Sequence, residues 1–261
     1  MTFKHFFAPN QKLSSKTMGI LALSQAIFAI AVWWVSPQQL LPTPLEVFSA
    51  FGTLFTKDGL IVELWSSFSL NLEVIVLTLV CSLALSYLTV LPFFRPLAWF
   101  FSKGRFVSTV GLTFVFTMFT TGAHQLKLSL MVFLMSVFFV TSMYEVIAST
   151  LQDDLDYGRV LYKKEWGVVW ETIILGKVDS VFEILRQVAA IGWAVLTMVE
   201  GLARSGGGVG VLLLNNSKYF HLDKVFAIQI CILLIGICQD YVIGWFRDTL
   251  CPYAAMEKGK R

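Results

Sequence analysis

The residues best placed to do chemistry in this chain are charged groups inside otherwise apolar stretches. One such stretch runs over 181–199 and contains Arg186. On a helical wheel Trp193, Thr197 and Glu200 fall within about 40° of Arg186, and Glu183 about 60° away. The rest of that helix is mainly Val, Ile, Leu and Ala. A second stretch, 225–246, places Gln229, Gly236 and Asp240 on one narrow face. Charge inside a membrane span is costly, so it faces a protein interior or a wet cavity. Arg186 and Asp240 are expected at similar depth, where they can pair. Two roles fit these stripes: fastening helices together or lining a path for a solute. Glu73 and Glu145 read as boundary residues whose side chains reach the interface.

Other chemistries lack their residues. No GxxxxGK[ST] phosphate loop occurs, because Gly176-Lys177 has neither the upstream Gly nor the following Ser/Thr. The glycine run 206–210 is therefore expected to be a tight turn needing positive φ. There is no HExxH and no GxSxG, and His5, His124 and His221 are far apart. Cys81, Cys231, Cys238 and Cys251 form no CxxC pair and no His/Cys cluster, so neither a metal site nor a disulfide is expected. The chain is not read as an enzyme.

The elements that must hold these residues follow from composition. Of 261 residues 56% are hydrophobic and 14% charged, and mean hydropathy is +0.72. A soluble domain carries roughly a quarter charged residues. This chain cannot cover its surface with polar groups, which excludes a soluble enzyme or a nucleic-acid-binding module. A crossing takes about 20 apolar residues. Six are expected, near 18–35, 68–90, 106–120, 126–148, 181–199 and 225–246. The third is short, with 97–101 as its candidate extension. Residues 36–65, broken by Pro37, Pro42 and Pro44, hold a short interfacial helix over 45–55. The longest polar interval, 149–177, is rich in Leu, Val, Tyr and Trp and reads as amphipathic helix.

Lys and Arg orient this arrangement. Fourteen fall on one side of the six-span plan and five on the other, with Arg186 inside a span. The positive-inside rule puts both termini and 149–177 in the cytoplasm.

From residue 147 to 246 the chain resembles the permease subunit of an ABC importer of the type I fold. It is most similar to the nitrate/sulfonate/taurine/bicarbonate group. Asp156 takes the family's turn position and Gly167 its glycine. Leu161, Tyr162 and Lys163 stand where Glu-Ala-Ala is expected, and Asp179-Ser180 replaces the family's Leu-Pro. Ala189-Ala190-Ile191-Gly192-Trp193 and Glu200 resemble the family's Trp-containing span and closing Glu. The glycine run with Asn215-Asn216 and Tyr219-Phe220 resembles its glycine loop and the aromatic segment beyond. Asp240 falls at the Asp of the last span. Leu41-Pro42-Thr43-Pro44 and the turn at 119–122 resemble earlier family features.

The resemblance implies an all-α integral membrane protein with six transmembrane helices and a cytoplasmic coupling helix between helices four and five. It implies a tail at 1–17, a permease domain at 18–247 containing the coupling segment 149–177, and a tail at 248–261. Asp156, Leu161, Tyr162, Lys163 and Gly167 would dock an ATPase. Arg186, Trp193, Thr197, Glu200 and Asp240 would line the path. ATP and Mg would be bound by partner ABC ATP-binding subunits, with no cofactor in this chain. A periplasmic or lipid-anchored substrate-binding protein would deliver a small solute, such as nitrate, a sulfonate or taurine. The expected assembly is a homodimer in the lipid bilayer of a bacterial inner membrane. A secondary transporter and a non-transporting assembly subunit are the competing readings.

Overall fold

A computed structural model describes residues 14–35, 41–150, 152–161 and 164–252. Most of both expected tails, Pro37, and the docking candidates Tyr162 and Lys163 lie outside the described residues. Among those described, the secondary structure is helical throughout. The elements are α1 (Ser15–Val35), α2 (Pro44–Thr56), α3 (Leu60–Leu88), α4 (Arg95–Lys103), α5 (Thr109–Phe119) and α6 (Ala123–Ala148). They continue as α7 (Gln152–Leu161), α8 (Glu165–Val168), α9 (Val178–Leu202), α10 (Val209–Lys218) and α11 (Leu222–Leu250). The helices α1, α3, α6, α9 and α11 are long and apolar enough to cross a membrane. This is a multi-pass α-helical membrane protein.

The third expected crossing is divided. Its residues form α4 and α5, joined by a 3₁₀ turn over Gly104–Phe106. The break falls at Lys103-Gly104-Arg105 and an extended Ser108, where glycine and two cations interrupt the apolar run. α5 has 11 residues, too few to span alone.

The other spans start earlier than expected. α3 begins at Leu60, eight residues before the expected start at 68, and carries Glu63 in its first turn. Hydropathy stops at such a charge. The structure keeps it in the helix, where its carboxylate accepts from the Gly208 N–H. α2 starts where the prolines indicate. Pro44 takes the first helical turn, where its missing N–H costs nothing. Thr43 Oγ1 accepts from Glu46 N–H, and Thr43 N–H donates 2.7 Å to the Glu46 carboxylate, a complete capping box.

α6 is the central column. It packs against α3, α4, α5 and α9, and α9 packs in turn on α10 and α11. Phe139, Leu130, Met131, Met135 and Leu196 are fully buried at these contacts. Between helices in lipid the hydrophobic effect is weak, so close packing and interhelical hydrogen bonds carry the association. α1 stands apart, held at its end by Trp33, which stacks on Phe226 and donates 3.1 Å to the Pro42 carbonyl.

Candidate functional site

α9 and α11 run antiparallel, which brings the two polar stripes face to face. Arg186 grips Asp240 with two parallel bonds, Nε to Oδ1 at 2.8 Å and Nη2 to Oδ2 at 2.6 Å. This fork-to-fork geometry is the strongest form of such a pair. Glu183 lies 3.7 Å from Arg186 and also binds buried Arg247, so two α9 residues and two α11 residues share one network. One helical turn above Asp240, Gly236 leaves room for the Trp193 indole. Trp193 Nε1 donates 3.0 Å to Gln239 Oε1, which also accepts from Asn71 Nδ2 of α3 at 2.9 Å.

Trp193, Gly236 and Asp240 of this set line a groove of about 760 Å³ along α9 and α11, and Arg186 reaches it through its bond to Asp240. Its walls include Trp193, Thr197, Gln229, Gly236, Asp240 and Tyr241. Arg186, Trp193, Thr197 and Asp240 are thus gathered as their spacing indicates. The cation is already met by carboxylates, so the groove offers aromatic faces, an amide and a hydroxyl rather than an open positive charge.

Glu200 goes elsewhere. It is 1% exposed and turns inward, away from the groove, to hold the glycine run. Ser67 of α3 donates 2.7 Å to Glu200 Oε1 and accepts from Val209 N–H at 2.8 Å. Gly210 N–H donates 2.7 Å to Glu200 Oε2. Glu63 accepts from Gly208 N–H, and Lys127, 3% exposed, donates 2.6 Å to the Gly207 carbonyl. The loop carries the expected positive φ at Gly207 (63°) and Gly208 (106°). Here glycine answers a second need as well. A Cβ on Gly208 would overlap the Glu200 carboxylate, and one on Gly210 the Thr197 carbonyl. A wheel places Glu200 near the stripe of Arg186, but the angle alone does not say which neighbour waits there.

The interval 149–177 is α7, α8 and a π-helical turn at Val169–Leu175. Asp156 sits inside α7, not at a turn. Arg159 bonds Asp156 at 2.7 Å and Glu165 of α8 at 3.2 Å. The hydrogen bond that Arg159 donates to Asp156, then the charge of Glu165, hold the Arg159 guanidinium above its ordinary pKa. The tight approach of the two helices is made at Gly158 against Val168 and Thr172, while Gly167 is half-buried within α8. Leu161 ends α7 and is exposed. With it Tyr157, Val160, Trp166 and Trp170 form a row of exposed apolar side chains, Val160 at 84%.

One group escaped the sequence reading. Ser67, Asn71, Thr78, Ser82 and Ser86 are fully buried along one face of α3. Their spacing of four, seven, four and four residues is a helical polar stripe, legible by the same wheel that found Arg186. Among the described residues no group of three or more His, Cys, Asp or Glu is arranged to hold a metal ion. Compared with known protein families and with curated proteins, the chain matches none of them.

Proposed function

We propose that this chain is the membrane-spanning permease subunit of an ATP-driven importer of the ABC class. In this reading α4 and α5 together make the third of six crossings. Both termini and the α7–α8 segment are cytoplasmic, in a bacterial inner membrane. Two copies form the path for a small solute along their α9–α11 grooves. ATP and Mg are bound by separate ATPase subunits, and a substrate-binding protein delivers the solute at the glycine-loop end. Closure of the ATPases on ATP shifts the permease between outward- and inward-facing states through differential binding.

The observation that carries this reading is the α7–α8 module. It lies between α6 and α9, is cross-braced by Arg159, and presents Tyr157, Val160, Leu161, Trp166 and Trp170 as exposed apolar side chains among the described residues. A short apolar helix of this kind suits a groove on a partner. The excess of Lys and Arg on that side supports its placement in the cytoplasm.

The test is co-purification of the chain with an ATP-binding protein from its native membrane. Wild type is expected to retain the ATPase, and Trp166→Ala to lose it while remaining monodisperse. Solute transport by the purified chain alone in liposomes, without ATPase or ATP, would overturn the proposal in favour of a secondary transporter.

A further inference from the structure

The stretch from residue 74 to 144 contains no Asp or Glu, yet holds Arg95, Lys103, Arg105 and Lys127. Lys127 is spent on the glycine loop. The other three cluster on α4 and the turn after it. α4 is amphipathic: Ala98 is buried, while Trp99 and Phe100 are exposed, Phe100 at 70%. Phe93 and Phe106, on either side of α4, are exposed too. This pattern of bulky rings and cations without acids suits the boundary of an anionic membrane.

The same segment builds a groove. Phe100, Phe101 and Val107 form one wall, and Phe133 and Val137 of α6 the other. Gly104 makes its floor, where a Cβ would stand 3.0 Å from a Val137 methyl. The cavity measures about 320 Å³ and is apolar apart from Lys103 at its rim. Lys103 Nζ lies 5.3 Å from the centroid of the Trp99 ring, so its side chain folds back along α4. Among the described residues it has no carboxylate partner. Arg105 reaches the same way, to 3.9 Å from exposed Glu145 near the end of α6. Both cations reach toward one end of the bundle, as long basic side chains do when they seek the headgroup layer.

We propose that this groove holds one anionic phospholipid. An acyl chain lies along Val137 toward Phe133, and the phosphate meets Lys103 and Arg105. Charge complementarity selects the occupant: an apolar slot that ends at an unpaired ammonium in an acid-free segment fits an anion attached to a hydrocarbon chain. The assignment needs only a membrane-spanning chain and is independent of the importer reading.

The experiment is native mass spectrometry of the full chain released from detergent. It is titrated with phosphatidylglycerol or phosphatidylcholine of the same acyl composition. Wild type is expected to retain one phosphatidylglycerol per chain at least tenfold better than phosphatidylcholine. The double variant Lys103→Gln with Arg105→Gln, both at exposed positions, is expected to lose most of that preference. Val107→Trp narrows the slot and keeps both cations, so it is expected to weaken retention of phosphatidylglycerol. Lys57→Gln, remote from the groove, is expected to behave as wild type. Equal retention of the two lipids by wild type would overturn the proposal, as would unchanged preference in the double variant. Displacement of the lipid by inorganic phosphate alone would remove the acyl-chain part and overturn it as stated.

Discussion

At the scale of single residues, the densest set of constraints is the glycine loop. Glu63, Ser67, Lys127 and Glu200, from three different helices, each contact a backbone group in a run of four residues. Gly208→Ala must accept a backbone conformation that costs about 1–3 kcal/mol for an L-residue, and must also displace the Glu200 carboxylate. Its melting temperature in detergent is expected to fall well below wild type. Gly52→Ala, with open space at its Cβ in α2, is expected to be neutral or slightly stabilising. Equal melting of the two variants would remove the clamp from the account. Glu200 gives a sharper comparison. Glu200→Gln keeps the shape, and with its amide nitrogen toward Ser67 it can still accept from Gly210 N–H. What it loses is one charged hydrogen bond, worth about 1.5–3 kcal/mol. Glu200→Ala leaves the Ser67 hydroxyl proton and the Gly210 N–H both without an acceptor and a void behind, so it is expected to be the more damaging change by thermal unfolding.

At the scale of elements, α9 and α11 are joined by charge as much as by packing. Asp240→Asn and Arg186→Gln are each expected to destabilise the helix pair. Removing both partners together is expected to cost less than the two single losses summed, with a coupling of about 0.5–3 kcal/mol in a double-mutant cycle. A coupling near zero would mean that the pair is held by its surroundings rather than holding them. Arg186 and Asp240 were legible from sequence because helical period and antiparallel span order together fix depth. Glu200 was legible as a polar span residue, but its partners Ser67 and Gly210 lie in segments 133 and 10 residues away, which no wheel connects. Hydropathy likewise misplaced the start of α3, since it counts Glu63 as a loss and cannot see the Gly208 N–H that bonds it. It read 106–120 as one short span with 97–101 as its extension, and the structure makes these two helices, α5 and α4, on either side of Lys103, Gly104 and Arg105. The α3 stripe was present in the sequence in full. Ser and Thr carry little weight in a hydropathy profile, although within lipid interhelical bonds such as those of Ser67 and Asn71 are worth about 0.6 kcal/mol each.

At the scale of the whole molecule, the exposed surface divides into two kinds. α5, α1 beyond Lys16 and most of the outer face of α3 present Ile, Leu, Val and Phe, a surface that lipid can cover. The α9–α11 groove is different. Its Asp240 side chain is 41% exposed and its Arg186 28%, and Gln229 and Thr197 line it as well. An ion pair left open to hydrocarbon is disfavoured, so this face needs protein or water against it. In the proposed dimer a second copy would supply both, since a two-fold arrangement would set identical grooves opposite one another and enclose a wet cavity between them. Ile237→Cys, on the groove wall, placed in a background lacking the exposed thiols Cys81 and Cys238, is therefore expected to cross-link between copies with a short bifunctional reagent. Val80→Cys, equally accessible on α3, is expected to remain uncross-linked. Solubilised protein in mild detergent should have the mass of two chains. A single-chain mass together with no cross-link at Ile237 would leave the ion pair facing lipid, and would require a different polypeptide to cover it.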